Sequence, residues 1–180
     1  MKTSYTLFLF LSIFIFGSKA SQASHLIVGE MTYKYLGADI YEFTVYYYRD
    51  CRPPSEGGGN PNALADDDPI YITTFKGNSF YDLDSVYATE KVVLPAISMG
   101  GCIGTNVNTC VNRAKFVFTK ILPDHTLEYT ILNQRCCMSG GIVNIINSGN
   151  NGYSFYCRIP PHSVGLNSSA VFQPVSDLRL

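Results

Sequence analysis

Six cysteines carry most of the reactive chemistry in this chain: Cys51, Cys102, Cys110, Cys136, Cys137 and Cys157. A cysteine can ligate a soft metal, act as a nucleophile or close a disulfide. No Cys-x-x-Cys occurs, so neither a zinc ribbon nor a thioredoxin-like redox motif is encoded. The three histidines, His25, His125 and His162, share no ligand spacing with one another. An even cysteine count without such motifs reads as a disulfide framework, and no metal and no cofactor is expected. Cys102 and Cys110 flank a stretch rich in Gly, Asn and Thr and are expected to bridge locally. Cys51 shares strand parity with Tyr41, Phe43, Val45 and Tyr47, and Cys137 shares it with Leu127, Tyr129 and Ile131. Same-face placement predicts Cys51–Cys137 and, by remainder, Cys136–Cys157. A bulge near Asn133-Gln134-Arg135 would exchange Cys136 and Cys137, and a vicinal Cys136–Cys137 bridge is a strained alternative.

Other residues offer chemistry that a blander reading matches. Asp66, Asp67 and Asp68 could give oxygen ligands to calcium. The alternating Asp-x-Asp spacing of a calcium loop is absent, so a solvated acidic loop tip is favoured. Tyr46 and Tyr48, on the outward parity of their strand, are candidates for stacking on sugar rings, although tyrosine is also an ordinary strand residue. Arg49, Asp50 and Arg135 beside the cysteines could clamp an anion, but an ion pair at the sheet edge accounts for them. Asp82 and Asp84 are a carboxylate pair in a loop-like stretch, and Gly100-Gly101 lacks the rest of a phosphate-binding motif. No Gly-x-Ser-x-Gly elbow is present, so no catalytic set can be assembled.

These residues must be positioned by strands. Ile40 to Cys51 alternates strictly, with aromatic and β-branched residues on one parity, which predicts a half-buried strand. Leu26–Leu36 precedes it across the turn signal Gly37-Ala38-Asp39, so the two form an expected hairpin. Gly29 marks a bulge or a close backbone approach. The stretch from Arg52 to Pro69 reads as a long loop. Further strands are expected over Ile70–Lys76, Val86–Leu94, Val111–Leu122, Thr126–Cys137, Ile142–Ile146 and Tyr153–Ile159. Pro123-Asp124-His125 is expected to turn the third and fourth stretches from the end of that series, Val111–Leu122 and Thr126–Cys137, into a second hairpin. Many short strands and no convincing helix predict an all-β sandwich or barrel.

The N-terminus has a basic residue, Lys2, an apolar run from Leu7 to Gly17 and a small-residue exit. That is the pattern of a secretory signal peptide over residues 1–23, with cleavage after Ala23 preferred to cleavage after Ala20. The run is shorter than the roughly 20 residues a membrane helix needs, and no transmembrane segment is expected in the mature chain. Removing residues 1–23 takes Lys2 and Lys19 away and leaves 11 basic against 14 acidic residues, a net charge of −3. Such a balance gives no footprint for nucleic acid. The remainder suits a single sandwich module over 24–166, with 167–180 an extended exit segment or the start of a linker.

Ser24-His25-Leu26-Ile27-Val28-Gly29-Glu30-Met31-Thr32-Tyr33, Tyr47-Tyr48-Arg49-Asp50-Cys51, Gln134-Arg135-Cys136-Cys137, Ile142-Val143-Asn144-Ile145-Ile146 and Asn167-Ser168-Ser169 follow one another in a familiar order. The chain resembles the N-terminal region of large secreted Bacteroidetes surface proteins, of the gliding-motility-associated or PKD-domain-containing type. The resemblance implies an Ig-like, disulfide-stapled antiparallel β-sandwich, exported by the type IX system and followed by further modules. It also implies that Leu180 falls where a linker to a next module would begin. The expected function is a non-catalytic structural or adhesion module at the cell surface or outside the cell, facing an extracellular protein or polysaccharide. A carbohydrate-binding module is the alternative, and a glycoside hydrolase stands behind both.

Overall fold

The computed structural model describes residues 26–53, 55, 68–95, 110–123, 126–136, 138 and 144–170. The expected signal peptide lies outside the described residues. Among the described residues there are eight strands: β1 (Leu26–Gly37), β2 (Ile40–Asp50), β3 (Ile70–Lys76), β4 (Ser79–Val86), β5 (Ala88–Leu94), β6 (Val111–Ile121), β7 (Tyr129–Cys136) and β8 (Gly152–Ile159). Four antiparallel pairs of consecutive strands alternate between two sheets, giving the orders β1-β2-β6-β5 and β4-β3-β7-β8. Lettered A, B, C, C′, D, E, F and G in sequence, these are the A-B-E-D and C′-C-F-G sheets of an immunoglobulin-like sandwich. Tyr129, at the start of strand F, is fully buried and donates its hydroxyl to the carbonyl of Pro123 at 2.6 Å. That is the tyrosine corner of the fold.

Alternation decides which residues form the core. Tyr41, Phe43, Val45 and Tyr47 of β2 point inward against Ile70 and Ile72 of β3, Ile131 of β7 and Ile159 of β8. The β1–β2 turn is the expected one: Gly37 pairs with Ile40, and Ala38 and Asp39 between them have φ of 49° and 61°. Positive φ at both central residues is what the right-handed twist of a two-residue hairpin demands. Gly29 is a close approach, since a Cβ there would lie 2.6 Å from the Phe155 ring of β8.

The free edge of β1 is not left open. Ser169 donates its N–H to the Tyr33 carbonyl at 2.9 Å, and its Oγ accepts from the Tyr33 N–H at 2.8 Å. Ser168 Oγ accepts from Tyr35 N–H at 3.0 Å, and Asn167 Oδ1 accepts from the Tyr33 hydroxyl at 2.7 Å. The start of the exit segment therefore docks along β1 and covers an edge that could otherwise pair with another chain.

Three expectations about the strands are corrected. Val111–Ile121 and the strand after it are not a hairpin, because β6 and β7 belong to different sheets. Pro123 instead lies in a crossing between sheets, anchored by the Tyr129 hydroxyl. The stretch around Asp82 and Asp84 is strand β4, and Tyr81 is its bulged extra residue, since Asp82 pairs with Thr74 and Phe80 with Phe75. No strand runs to Ile146. Asn144 to Asn147 form a turn into a single 3-10 turn, and Ile146 is 89% exposed. The Asn151 amide donates to the carbonyls of Ile146 and Asn147, local bonds that compete with a ladder.

Candidate functional site

The cysteines are arranged differently from the parity-based pairing. Cys51 is bonded to Cys110, with Cα atoms 5.0 Å apart. The cause is the register of β2 and β6, in which Asp50 pairs with Val111. Cys51 and Cys110 are the next pair outward, and the Cys51 N–H donates to the Cys110 carbonyl at 3.0 Å. This overturns both Cys102–Cys110 and Cys51–Cys137; Cys102 and Cys137 themselves lie outside the described residues. Cys136–Cys157 is also overturned, because Cys157 is a free, buried thiol. In the β7–β8 register Cys136 faces Gly152, while Cys157 faces Ile131 five residues further along. That is roughly 17 Å of strand, far beyond disulfide reach. Cys136 is nonetheless disulfide-bonded. The Cys157 thiol lies 3.4 Å from the Met31 carbonyl, to which it donates, and burial pushes its pKa up to about 12.

The acidic candidates are used structurally. Asp68 holds Lys91 at 2.7 Å and accepts the Ala88 N–H at 2.9 Å. Partial burial raises its pKa, but the Lys91 and Ala88 hydrogen bonds and the Lys91 charge outweigh it, so the carboxyl sits below its ordinary range. Asp66 and Asp67 lie outside the described residues. Among the described residues no group of three His, Cys, Asp or Glu is placed to hold a metal ion. Asp82 and Asp84 point inward and grip Lys120 of β6 at 2.7 and 2.5 Å, tying the two sheets together. Asp50 is held by Arg52, whose Nη2 lies 2.6 Å from Oδ2, a partner the sequence did not single out. Arg49 follows the inward parity of β2 and is 1% exposed. Near it the Tyr47 hydroxyl donates to Asn133 Oδ1, and Asn133 donates to the Tyr71 carbonyl at 2.8 Å. Burial pushes the Tyr47 pKa up to about 12, against the pull of the Arg135 and Arg49 charges and the Asn133 hydrogen bond. His162 contacts Asp39 at 3.1 Å; His25, His125 and Gly100-Gly101 lie outside the described residues.

Tyr46 and Tyr48 do occupy the outer face of the first sheet, but as covered rings. They stack on each other at 6.4 Å between centroids. Arg113 and Lys115 lie over Tyr46 at 5.5 and 5.9 Å. Tyr48 is 6% exposed, its hydroxyl 3.3 Å from Glu30. Glu30, Tyr46, Lys115 and Glu90 form one register row straight across β1, β2, β6 and β5, so this outer face is charged. Arg113, in the adjacent row, is in turn paired with Glu90 at 2.5 Å.

The other outer face is of a different character. Leu83, Thr73, Leu132 and Tyr156 form one register row across β4, β3, β7 and β8. Phe80, Phe75, Thr130 and Arg158 form the next row. Phe80, Leu83, Tyr71 and Tyr156 are 64%, 57%, 56% and 57% exposed. Sequence reading did not mark this face. Its one available signal was in β3, where apolar residues occupy both parities: Ile70 and Ile72 inward, Tyr71 and Phe75 outward.

No family model, no curated protein and no solved structure matches this chain.

Proposed function

We propose that this chain is a non-catalytic contact module of an exported protein, held rigid outside the cell for adhesion, in the manner of the secreted Bacteroidetes surface proteins it resembles. The observation that carries the reading is the contrast between the two outer faces. One is laced with charges in the ordinary way of a solvated sheet, and the other presents exposed aromatic and aliphatic side chains. Exposed apolar patches of that kind mark interaction surfaces. The Cys51–Cys110 bond supports an oxidising destination, and the apolar run at Leu7–Gly17 supports export. The carboxylates of Asp50, Asp68, Asp82 and Asp84 are engaged by Arg52, Lys91 and Lys120, in keeping with bracing.

The test is adhesion by the protein secreted from its own host. A chain beginning at Ser24, with Cys51 and Cys110 linked in a non-reducing peptide map, should coat beads that then adhere to cell-envelope or extracellular-matrix preparations. Retention of residues 1–23 in the exported pool, or coated beads that adhere no better than bare ones, would overturn the reading.

A further inference from the structure

We infer that the outer face of the second sheet binds a neutral polysaccharide chain, laid across the row Leu83, Thr73, Leu132 and Tyr156. The inference rests on the reading of the chain as an extracellular contact module and names the partner of that module's open face.

Geometry comes first. The four residues are in register on four neighbouring strands, so the row is three strand spacings long, about 14 Å. Tyr71 and Phe80 flank it on β3 and β4, both more than half exposed. An elongated ligand can therefore meet aromatic side chains at Tyr156, Tyr71 and Phe80 without entering a pocket.

Charge selects the class of partner. Among the outward-facing positions of the row and of the rows on either side, the only charged one is Arg158, whose guanidinium leans over the Tyr156 ring at 5.7 Å and lies 3.9 Å from Glu128; Asp82 and Asp84, next to Leu83 along β4, turn inward to Lys120. The rest are aromatic or aliphatic, or carry hydroxyl and amide groups: Thr73, Thr130, Ser154 and Gln134. The matching row on the opposite face holds Glu30, Lys115 and Glu90. A partner bearing carboxylates, sulfates or ammonium groups would lose hydration on the uncharged face without gaining an ion pair. An uncharged polyhydroxylated chain loses nothing of that kind. Its ring C–H faces stack on aromatic side chains, and its hydroxyls meet threonine, serine, glutamine and the tyrosine hydroxyls.

The experiment uses the secreted, oxidised chain in co-sedimentation with insoluble neutral polysaccharides (cellulose, chitin, starch) and with a polyanionic alginate gel. Binding to at least one neutral polymer is expected, insensitive to added salt, with little binding to alginate. Tyr156→Ala and Tyr71→Ala should each weaken it about tenfold or more, as truncation of a central aromatic anchor does. Leu83→Lys, which plants a charge in the row at an exposed position, should do the same, and Tyr46→Ala on the opposite face should change binding less than twofold. Unfolding midpoints of each variant separate lost binding from lost folding. Retention of binding in all three face variants overturns the inference, as does loss with Tyr46→Ala alone. A concentration-dependent dimer that Leu83→Lys dissolves, without polysaccharide binding, assigns the face to a second copy and also overturns it. Beads that adhere to envelope preparations while the protein binds no polysaccharide refute the ligand class and leave the contact module standing. Beads that adhere to nothing refute the module itself.

Discussion

Removing the Cys51–Cys110 bridge tests the described arrangement most directly. The perturbation is the double substitution Cys51→Ala/Cys110→Ala. The two cysteines are 59 positions apart. Chain-entropy arithmetic for a closed loop of that size gives a loss of about 4.3 kcal/mol as an upper estimate. A bridge between Cys102 and Cys110 would close a far shorter loop and be worth only about 2.6 kcal/mol in the same treatment. Both figures act through the unfolded chain. The β2–β6 register and the Cys51 N–H bond to the Cys110 carbonyl survive the substitution, so the native fold should be kept. For a domain of this size the larger loss corresponds to a melting point lower by roughly 9–17 °C. The assay is urea unfolding of wild type and variant, with a non-reducing peptide map of the wild type. Cys110 linked to Cys102 in the map, or a variant whose midpoint and slope match wild type, would refute the reasoning.

Three other outcomes follow from particular contacts. Lys120 is 5% exposed while Asp82 and Asp84 are 38% and 49% exposed, so the ion-pair cluster should be asymmetric. Lys120→Met leaves carboxylates that water can reach and should cost about 1–2 kcal/mol, whereas Asp82→Asn/Asp84→Asn strands a buried ammonium and should cost about 3 kcal/mol; the reverse order in urea unfolding would count against it. Tyr41, Tyr47 and Tyr48 have pKa values raised to about 12, in each case chiefly by burial. A raised folded pKa gives stability that is whole below the unfolded value near 10 and is lost as pH rises towards 12, so alkaline unfolding should fall in that window. An ultraviolet phenolate titration of the native protein that is complete by pH 11 would contradict this. The Cys157 thiol, with a pKa near 12 and little exposure, should resist alkylation at pH 8 until the chain unfolds; rapid labelling of its peptide in the native state would place it elsewhere.

What the sequence disclosed depended on whether the information was local. The alternation in Tyr41, Phe43, Val45 and Tyr47 reports a strand and its buried face, and Gly37-Ala38-Asp39 reports the turn before it. Parity also placed Cys51 on the inward face. It could not choose between same-face partners, because Cys110, next to Val111 of β6, and Cys137, by its spacing from Tyr129 and Ile131 in the sequence, satisfy parity equally well. The choice was made by the β2–β6 register, which depends on contacts more than fifty residues apart. The open face was hidden for a related reason. Tyr71, Leu83, Leu132 and Tyr156 are scattered over four strands, and only pairing lines them up. In β4 the bulge at Tyr81 breaks the alternation, so the stretch reads as a loop although it is a strand. Tyr46 and Tyr48 lie on an outer face, as their parity implies, but the cationic side chains over the Tyr46 ring come from β6.

The position of the disulfide says how the sandwich is held. In antibody domains the bridge joins strands B and F across the core, with the tyrosine-corner residue two positions before the second cysteine. Here that second position is Ile131, fully buried, and the bridge joins B to E within one sheet at its rim. A bond inside one sheet cannot keep the two sheets together. Among the described residues that task falls to the apolar interior and to polar ties between the sheets: the Tyr153 hydroxyl and the Cys157 thiol of β8 donate to the Ile27 and Met31 carbonyls of β1 at 2.8 and 3.4 Å, and others lie towards opposite ends. The Tyr47 hydroxyl reaches Asn133 of the facing sheet near the cysteine end. Lys120 reaches Asp82 and Asp84 near the other end of β6. Buried polar groups are tolerated when each finds its partners, and such pairs fix which packing is adopted more than how strong it is. On this arrangement Cys51→Ala/Cys110→Ala, which leaves the Cys136 disulfide intact, should free the β2–β6 rim and lower global stability while leaving the two sheets in register against each other. The contact face on the second sheet, remote from the Cys51–Cys110 bridge in connectivity, should then keep its geometry in that variant.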